Sequence, residues 1–585
     1  MNTIKQQAAD ALLARLKAVC EGANIALNAE NTPDIAAMFE CPPDPKLGDL
    51  AFPCFKLAKT LRMAPPKIAA ALSDGLIIPG AAKIETVGGY LNIFADKADT
   101  AEKTVNAVLA AKDRWGGSDE GKGKTCVLDY SSPNVAKPFH IGHLGTTVIG
   151  HSLKKLHEFC GWNCVGINYL GDWGTQFGKM IVAYRKWGDR KTVEEQGCDA
   201  LVDLYVRFHK EAEENPALED EARATFTALE HHDPECTELW KWFIEISLKE
   251  YQKTYKQLGI TFDSYNGESF YSDKMPAAVE EIKKTGILKI DDGASIVDLE
   301  AYGMPPCLIL KRDGSSLYPT RDITAALWRK KNYNFDKCVY VTSAGQSLHF
   351  AQWFKVLELM GYDWAKTELV HVPYGTVSID GAKLSTRTGN VVLLRDLFSS
   401  AIEKVSAIIE EKNPDLENKA EVAESIGIGA IIFYYLSSNR IRDINFIMDD
   451  ALSFEGNTGP YVQYTYARTC SILRKCAESG VSAETVEAPF TLSEVEVGDE
   501  ENELVKTLAL FPEKVSQALR EYEPSVITRY ILDVCAAFNR FYHDTPILSC
   551  EDEATRLWRV RLTAAARYTL GNAFELICLK KNEKI

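Results

Sequence analysis

His140-Ile141-Gly142-His143 places two imidazoles three residues apart around a glycine. At the first turn of a helix, both rings can donate hydrogen bonds into one anion, and Gly142 lets a ligand approach the backbone. The residues leading in are Asp129-Tyr130-Ser131-Ser132-Pro133-Asn134-Val135-Ala136-Lys137-Pro138-Phe139. Before them, 125–128 is short, apolar and β-branched, which suits a buried parallel strand. The two prolines stop regular structure, and 144–159 returns apolar residues at helical spacing. Strand, turn and helix N-terminus in that order gather unpaired backbone N–H groups, a setting that favours phosphate. Two close histidines alone are as readily core or surface residues; the eleven residues before them shift the balance toward a nucleotide.

Other stretches carry chemistry with a plainer alternative beside each. Gly171-Asp172-Trp173-Gly174-Thr175-Gln176-Phe177-Gly178 either makes a turn or lines a ligand at the carboxyl edge of a strand. In Tyr318-Pro319-Thr320-Arg321-Asp322, a phenol and a carboxylate four residues apart at a helix start can hold a planar cation. Arg321 could instead close a local ion pair with Asp322. Gly381-Ala382-Lys383-Leu384-Ser385-Thr386-Arg387-Thr388-Gly389-Asn390 is either a clamp for triphosphate oxygens or a basic surface loop. Tyr461, Tyr464 and Tyr466 after Gly459-Pro460, with Arg468, are either helix core or a stacking platform for unpaired bases. Asn539-Arg540-Phe541-Tyr542 and Arg556-Leu557-Trp558-Arg559 add cations among aromatics.

These residues need a scaffold of several domains, and 585 residues supply one. Hydrophobic content of 46% and charge of 25% are ordinary for a globular chain. No apolar run reaches the eighteen residues of a membrane span, and the N-terminus is polar and alanine-rich, unlike a signal peptide. The net charge of −16 argues against a nucleic-acid partner only if the local field is ignored. Fifteen cysteines include no C-x-x-C pair, which points to free buried thiols in a reducing compartment.

The first ~115 residues read as an α/β unit. It has helices over 4–19, 50–61 and from Pro65-Pro66 to 72, and strands near Ile84 and over 90–94. A polar, glycine-rich linker covers 113–124. From 124 to 400, strand candidates at 126–130, 164–170, 308–310, 338–342 and 369–378 alternate with helices, the trace of a doubly wound sheet. A charged helical insert spans 193–259, and 401–585 reads as all-α. Within it the acidic stretch 494–503 reads as a solvated loop.

The signature segment is similar to that of arginyl-tRNA synthetases, a branch of the class I aminoacyl-tRNA synthetases, and the likeness runs through nearly the whole chain. Gly48-Asp49, Leu57-Ala58-Lys59 and Gly89-Tyr90-Leu91-Asn92 resemble the family's N-terminal appended domain, which grips the tRNA elbow. The 381–390 loop resembles the Lys-Met-Ser-Lys-Ser motif, with Thr386-Arg387 where the second lysine stands and Lys137 as the suggested substitute. Gly145 stands where arginine commonly follows the tetrad's leucine.

The resemblance implies a Rossmann-type, doubly wound parallel-sheet catalytic domain (116–400) between an α+β appended domain (1–115) and an all-α anticodon-binding bundle (401–585). It implies an arginine–tRNA ligase that uses ATP, with Mg2+ carried by the nucleotide, and tRNA(Arg) as partner. His140, His143, Lys137, Lys383 and Arg387 would serve catalysis, and Pro133, Asn134, Phe139, Gly142, Gly174 and Ser385 would bind ATP. Tyr318 and Asp322 would take the guanidinium, and Asn134 and Gln346 the α-amino and carboxylate end, with Asp129 supporting. Asn92, Tyr461, Tyr464, Arg468 and Tyr542 would contact tRNA. A cytoplasmic monomer is the expected setting. The rival readings are a synthetase for another amino acid and a non-catalytic RNA-binding paralogue.

Overall fold

The structure is a computed structural model that describes residues 2–22, 25, 33–40, 42, 44–379, 382–383, 392–493 and 495–585. Its first unit packs helix Asn2–Gly22 on an antiparallel sheet of Leu50–Pro53 (β1), Ala81–Val87 (β2) and Tyr90–Ala95 (β3), in the order β1-β3-β2. The expected helix over 50–61 is therefore absent from its first third. Pro53 disfavours a helical residue before it, and Leu50 pairs with Ile93 instead, burying Phe52 in the small core. Only 54–61 is helical, as one 3-10 turn and one α turn.

The central sheet is parallel. Thr125–Asp129 (β4) and Asn163–Ile167 (β5) open it, and the long insert follows as Arg190–Gln196, Cys198–Glu214, Ala217–Glu230 and Pro234–Leu258. Leu288–Asp291 (β6), Ala294–Val297 (β7) and Cys307–Leu310 (β8) form a separate antiparallel sheet, so the strand expected at 308–310 does not join the main one. The pattern of β8 explains this: Cys307 and Ile309 are buried while Leu308 is exposed, the alternation of a sheet with one wet face. Lys337–Ser343 (β9) and Leu369–Tyr374 (β10) complete the main sheet in the order β10-β9-β4-β5. With β5 on one flank of β4 and β9 on the other, the crossovers diverge at its carboxyl end, where Asp129 sits. Such a switch point opens a crevice for ligands.

The strand expected over 369–378 divides at Gly375, and Val377–Ile379 (β11) pairs with Ala382–Lys383 (β12) and Ile444–Phe446 (β13). Residues 401–585 are thus helical apart from β13. Helix Lys419–Ser437 is long and apolar enough to cross a bilayer, but 72% of its apolar window is buried among its neighbours. The acidic stretch is a loop only over 495–498 among the described residues. Asp499–Ala509 is a helix, and Glu501, 1% exposed, accepts from Arg559 Nε (2.7 Å) and Trp558 Nε1 (3.1 Å).

Contacts far apart in sequence fasten the units. Asn106 exchanges two hydrogen bonds with the backbone of Phe490, and Lys97 pairs with Asp499 at 2.6 Å. The final helix, Glu553–Leu576, receives Ser152 Oγ of the signature helix on its Leu576 carbonyl at 2.6 Å, and its Asn572 donates to the Lys112 carbonyl. Truncating Glu501 takes the carboxylate partner from Arg559 Nε and the acceptor from the buried Trp558 Nε1. Glu501→Ala should lower stability by about 3–5 kcal/mol, read as a shifted urea midpoint. An unchanged midpoint would show that the pair is a surface contact in effect.

Candidate active site

The site begins where β4 stops. Ser131, Ser132 and Ala136 adopt positive φ (71°, 47° and 59°), a conformation that costs each non-glycine residue about 1–3 kcal/mol. Side chains from other elements hold the segment there. Thr146 Oγ1 and Asn168 Oδ1 accept from the Ser131 and Ser132 N–H groups, both at 3.1 Å, and Ser247 Oγ accepts from that of Ala136 at 3.0 Å. The Tyr251 hydroxyl contacts the Asn134 (2.7 Å) and Lys137 (2.8 Å) carbonyls, and the Tyr255 hydroxyl lies 2.7 Å from Ser131 Oγ. Across the crevice, the Gly171 N–H donates to the Pro133 carbonyl and the Val135 N–H to that of Gly171, both at 3.1 Å. A Cβ on Gly171 would lie 2.0 Å from Asn134 Oδ1, so glycine alone permits this seam. Gly174 then caps the helix Thr175–Trp187, a second N-terminus facing the crevice.

His140 is the N-cap of helix Ile141–Phe159. Its Nδ1 accepts from the Gly142 N–H at 3.1 Å, and His143 Nδ1 accepts from the His140 N–H at 3.2 Å. Each neutral ring therefore carries its proton on Nε2. Burial, with Lys137 adding repulsion, lowers the His140 pKa. Burial, His140 and Lys137 together push His143 down to about 3. The pair thus offers hydrogen-bond donors rather than charges, with rings 3.9 Å apart. A Cβ at Gly142 would meet the His140 ring at 2.8 Å, so glycine also leaves room for that ring. Phe139 is buried and stacks on His143 at 5.1 Å, which makes it a support for the ring.

Among the described residues that line a cavity of about 1240 Å³, Lys137 is the exposed cation, beside Asn134, His140 and His143. Asp199, Tyr205 and His209 of the insert form the opposite wall. The described residues that flank the basic segment are held by backbone pairing. Lys383 belongs to β12, and on the return the Leu394 N–H donates to the Phe139 carbonyl at 2.9 Å. Ser385 and Arg387 lie outside the described residues.

Three carboxylates meet deeper in the crevice. Asp129, at the end of β4, pairs with Arg329 at 2.8 Å, and both are buried. Burial raises the Asp129 pKa against the pull of Arg329. Arg329 lies over the rings of Tyr169 (5.2 Å) and Tyr340 (5.6 Å). Arg321 pairs with Glu268 at 2.7 Å, not with its neighbour Asp322. Burial pushes Glu268 up to about 7, with Asp172 and Asp322 adding to the shift and Arg321 opposing it. Asp322 instead meets His349 Nε2 at 2.5 Å. Tyr318, 67% exposed, opens the helix Tyr318–Tyr333 at the mouth, and Gln346 is exposed at the N-cap of Ser347–Leu359. Of the three carboxylates, Asp322 alone has no resident guanidinium among the described residues.

Family models cover most of the chain. The one described as "tRNA synthetases class I (R), catalytic domain" matches residues 104–448, "Arginyl tRNA synthetase N terminal domain" matches 3–95, and "DALR anticodon binding domain" matches 462–585. The arginine–tRNA ligase of Alkaliphilus metalliredigens is 51% identical over 94% of this chain and 96% of its own. That of Clostridium perfringens is 50% identical over 96% and 98%. The chain belongs to the arginyl-tRNA synthetases. Among solved structures, the Thermus thermophilus arginyl-tRNA synthetase superposes with a TM-score of 0.80 at 25% identity, covering 99% of this chain and all of its own. The Plasmodium falciparum enzyme shares the fold, with a TM-score of 0.79 at 23% identity over 100% and 99%.

In this synthetase, Arg468 lies over both Tyr464 (5.1 Å) and Tyr542 (4.7 Å), and its Nη1 donates to Asn539 Oδ1. Asn539 also donates to the Tyr461 hydroxyl at 3.0 Å. Tyr464, Arg468 and Tyr542 line an open cleft of about 590 Å³ together with the last three residues, 583–585. Tyr466 and Trp558 are buried and serve the core. Asn92 is 4% exposed; the aromatic surface beside it is the half-exposed Phe55–Tyr90 pair, which sequence reasoning missed. Glu268, Arg329 and His349 were missed too. Arg329 stands two helical turns from Asp322 and His349 one turn from Gln346, so periodicity held a faint cue for both. Glu268 had none.

Burial also holds His151 at about 3 and His157 at about 4. In the unfolded chain such imidazoles protonate near pH 6.5, so the unfolded state binds more protons between roughly pH 4 and 6.5. Stability should therefore fall as pH drops through that window, by up to about 1.4 kcal/mol per pH unit for each ring. Urea midpoints at pH 7 and 5 test this, and His151→Gln should flatten the dependence; a flat wild-type profile would contradict it.

Proposed function

We propose a division of labour among these residues for the reaction of the enzyme, an ATP-dependent arginine–tRNA ligase. The arginine carboxylate attacks the α-phosphorus of ATP and pyrophosphate leaves. A terminal ribose hydroxyl of tRNA(Arg) then takes the arginyl group from the adenylate, and AMP leaves. Positioning and electrostatics carry such chemistry, and no enzyme nucleophile is needed. ATP lies along the seam of Pro133, Asn134 and Gly174, with the Nε2–H groups of His140 and His143 donating to its phosphates. Lys137 supplies the charge, joined by Lys383, Ser385 and Arg387 of the basic loop. The 1240 Å³ cavity has room for a hydrated Mg2+, which the phosphate oxygens and water would hold.

The observation that carries the substrate reading is the charge arrangement around Asp322. Asp129 and Glu268 each hold a resident guanidinium, and Asp322 is left for the substrate's. Tyr318 covers the bound side chain at the mouth, Asn134 and Gln346 hold the α-amino and carboxylate end, and Asp129 supports the pocket through Arg329. The working units are 1–115, 116–400 and 401–585, in a cytoplasmic monomer. Asn92 lies in the elbow-binding unit, and Tyr461, Tyr464, Arg468 and Tyr542 form the anticodon-side platform.

Asp322→Asn should weaken arginine binding by about 2–5 kcal/mol while leaving the KM for ATP nearly unchanged. Aminoacylation kinetics with each substrate varied would show this, and an unchanged arginine KM would sink the assignment.

The basic loop has one cation fewer than the motif it resembles, so RNA contacts at the bundle would help close it over the triphosphate. Arginine-dependent pyrophosphate exchange should be nearly absent until tRNA(Arg) is added, and Tyr464→Ala should raise the tRNA concentration required. Robust exchange without RNA would refute the coupling and leave the ligase intact.

A further inference from the structure

We infer that Arg395 is a positioning residue for ATP: it cancels the charge of Asp199 on the wall that faces the histidine pair, so that this cavity accepts a triphosphate. The inference rests on the placement of the phosphates given above. Among the described residues that line the cavity, the charged side chains are Lys137, Asp199 and Asp203, two carboxylates against one cation. His209 adds no charge at neutral pH, because burial and the nearby Lys179 lower its pKa. Taken alone this lining is net negative, and a concave surface of one sign focuses its field on whatever enters. A triphosphate remains anionic even with magnesium bound, so an unmatched carboxylate on that wall works against it.

Arg395 supplies the match for Asp199 without lining the cavity itself. Its Nη2 lies 2.8 Å from Asp199 Oδ2, in the first turn of Cys198–Glu214. The backbone before Arg395 fixes its place. The Ile141 N–H donates to the Val392 carbonyl at 3.2 Å, and the Leu394 N–H donates to the Phe139 carbonyl at 2.9 Å. Between them His140 and Leu393 face each other as an antiparallel bridge. Residues 392–394 therefore run alongside the segment that carries the histidines, and Arg395 follows in the first turn of helix Leu394–Lys412. The ion pair joins the histidine segment to the insert at one edge of the cavity.

The other carboxylates near Arg395 have a closer cation or face solvent. Glu250 Oε1 is 3.8 Å from Nη1 but pairs with Lys253 at 3.1 Å, and Asp396, 3.7 Å from Nε, is 67% exposed. For Asp199, Arg395 is the one ion-pair partner among the described residues. Asp203, one turn later on the same face of its helix, is exposed and has no ion pair among them. Its charge favours phosphates on the opposite side, beside Lys137. A mechanical strut is the rival explanation of the Arg395–Asp199 pair. The two side chains are 45% and 44% exposed, and an ion pair so open to solvent contributes little to stability. The insert helix is held instead by its buried face, through Leu201, Leu204 and Phe208. The two explanations give opposite signs for Asp199→Asn: losing a strut weakens ATP binding, whereas losing a negative charge strengthens it.

The experiment measures the KM for ATP and for arginine in full-length enzyme with saturating tRNA(Arg). The variants are Arg395→Ala, Arg395→Lys, Asp199→Asn, the Arg395→Ala/Asp199→Asn double substitution and Lys137→Ala. We expect the ATP KM to rise about fivefold in Arg395→Ala and to stay within about twofold of wild type in Arg395→Lys. In Asp199→Asn it should fall about twofold, and in the double variant it should return to within about twofold of wild type. The arginine KM should stay within about twofold in all four. The effect of Arg395→Ala should also shrink between about 0.05 and 0.3 M KCl, since salt screens exposed charges. An ATP KM raised in Asp199→Asn as it is in Arg395→Ala, or still raised in the double variant, assigns the pair to mechanical support and overturns the inference. So does an unaltered ATP KM in Arg395→Ala, or an effect that salt leaves untouched. If Arg395→Ala prevents folding, the sign of the change in Asp199→Asn decides alone. Lys137→Ala tests the placement of the phosphates and should lower kcat/KM for ATP at least about tenfold. Should it leave that ratio unchanged, the placement falls and takes this inference with it; if only the Arg395 series fails, the placement stands.

Discussion

The segment 131–136 is held in a backbone conformation it would not adopt alone. Three residues at positive φ store several kcal/mol between them, and the hydroxyls and amides of Thr146, Asn168, Ser247, Tyr251 and Tyr255 stabilise that arrangement. The result aims Asn134, Lys137 and the histidine pair into one cavity. The supporting groups come from the signature helix, the residue after β5 and the last helix of the insert. The insert is therefore part of the active site's frame as well as its opposite wall.

Burial divides the work among the polar groups. At the phosphate end it keeps both imidazoles uncharged, and their Nδ1 atoms are occupied by backbone N–H groups, so Nε2–H is left to point outward. Neutral donors of fixed orientation need no reorganisation as charge develops on a phosphate, which is the property that electrostatic catalysis requires. At the amino-acid end the same burial sets carboxylates against resident arginines. Two of the three are matched internally, and the proposed selectivity for a cation would follow from the one that is not. A neutral amino acid would forgo the charge-assisted pair that the proposed reading gives Asp322.

The last helix, Glu553–Leu576, connects distant parts of the molecule. Its start buries Glu501 against Arg559, its Asn572 holds the connection out of the N-terminal unit, and its end accepts Ser152 of the signature helix. A displacement at the tyrosine–arginine platform would reach the phosphate site through rigid packed helices rather than through loops. If RNA binds at that platform as proposed, this packing would give it a physical route to the histidine pair.

Local pattern was enough to locate the helix N-terminus that carries the histidine pair. Strand, prolines and histidines at 125–143 signalled a helix N-terminus for phosphate, because such a motif is built from neighbours in sequence. The insert and the helical C-terminal region were legible for the same reason: periodicity is a local property. Partnership across the fold was not legible. Pairing with β3 turned Leu50–Pro53 into a strand, and the packing of Trp558 and Arg559 buried Glu501 within an acidic run that looked solvated. A local ion pair between Arg321 and its neighbour Asp322 was the alternative reading, and Glu268, fifty-three residues before Arg321, takes the arginine instead. Sequence thus determined which groups were present and which lay at a helix start. Tertiary structure decided which charges cancel, because Coulomb partners are chosen by distance in space and by burial, neither of which is written in spacing along the chain.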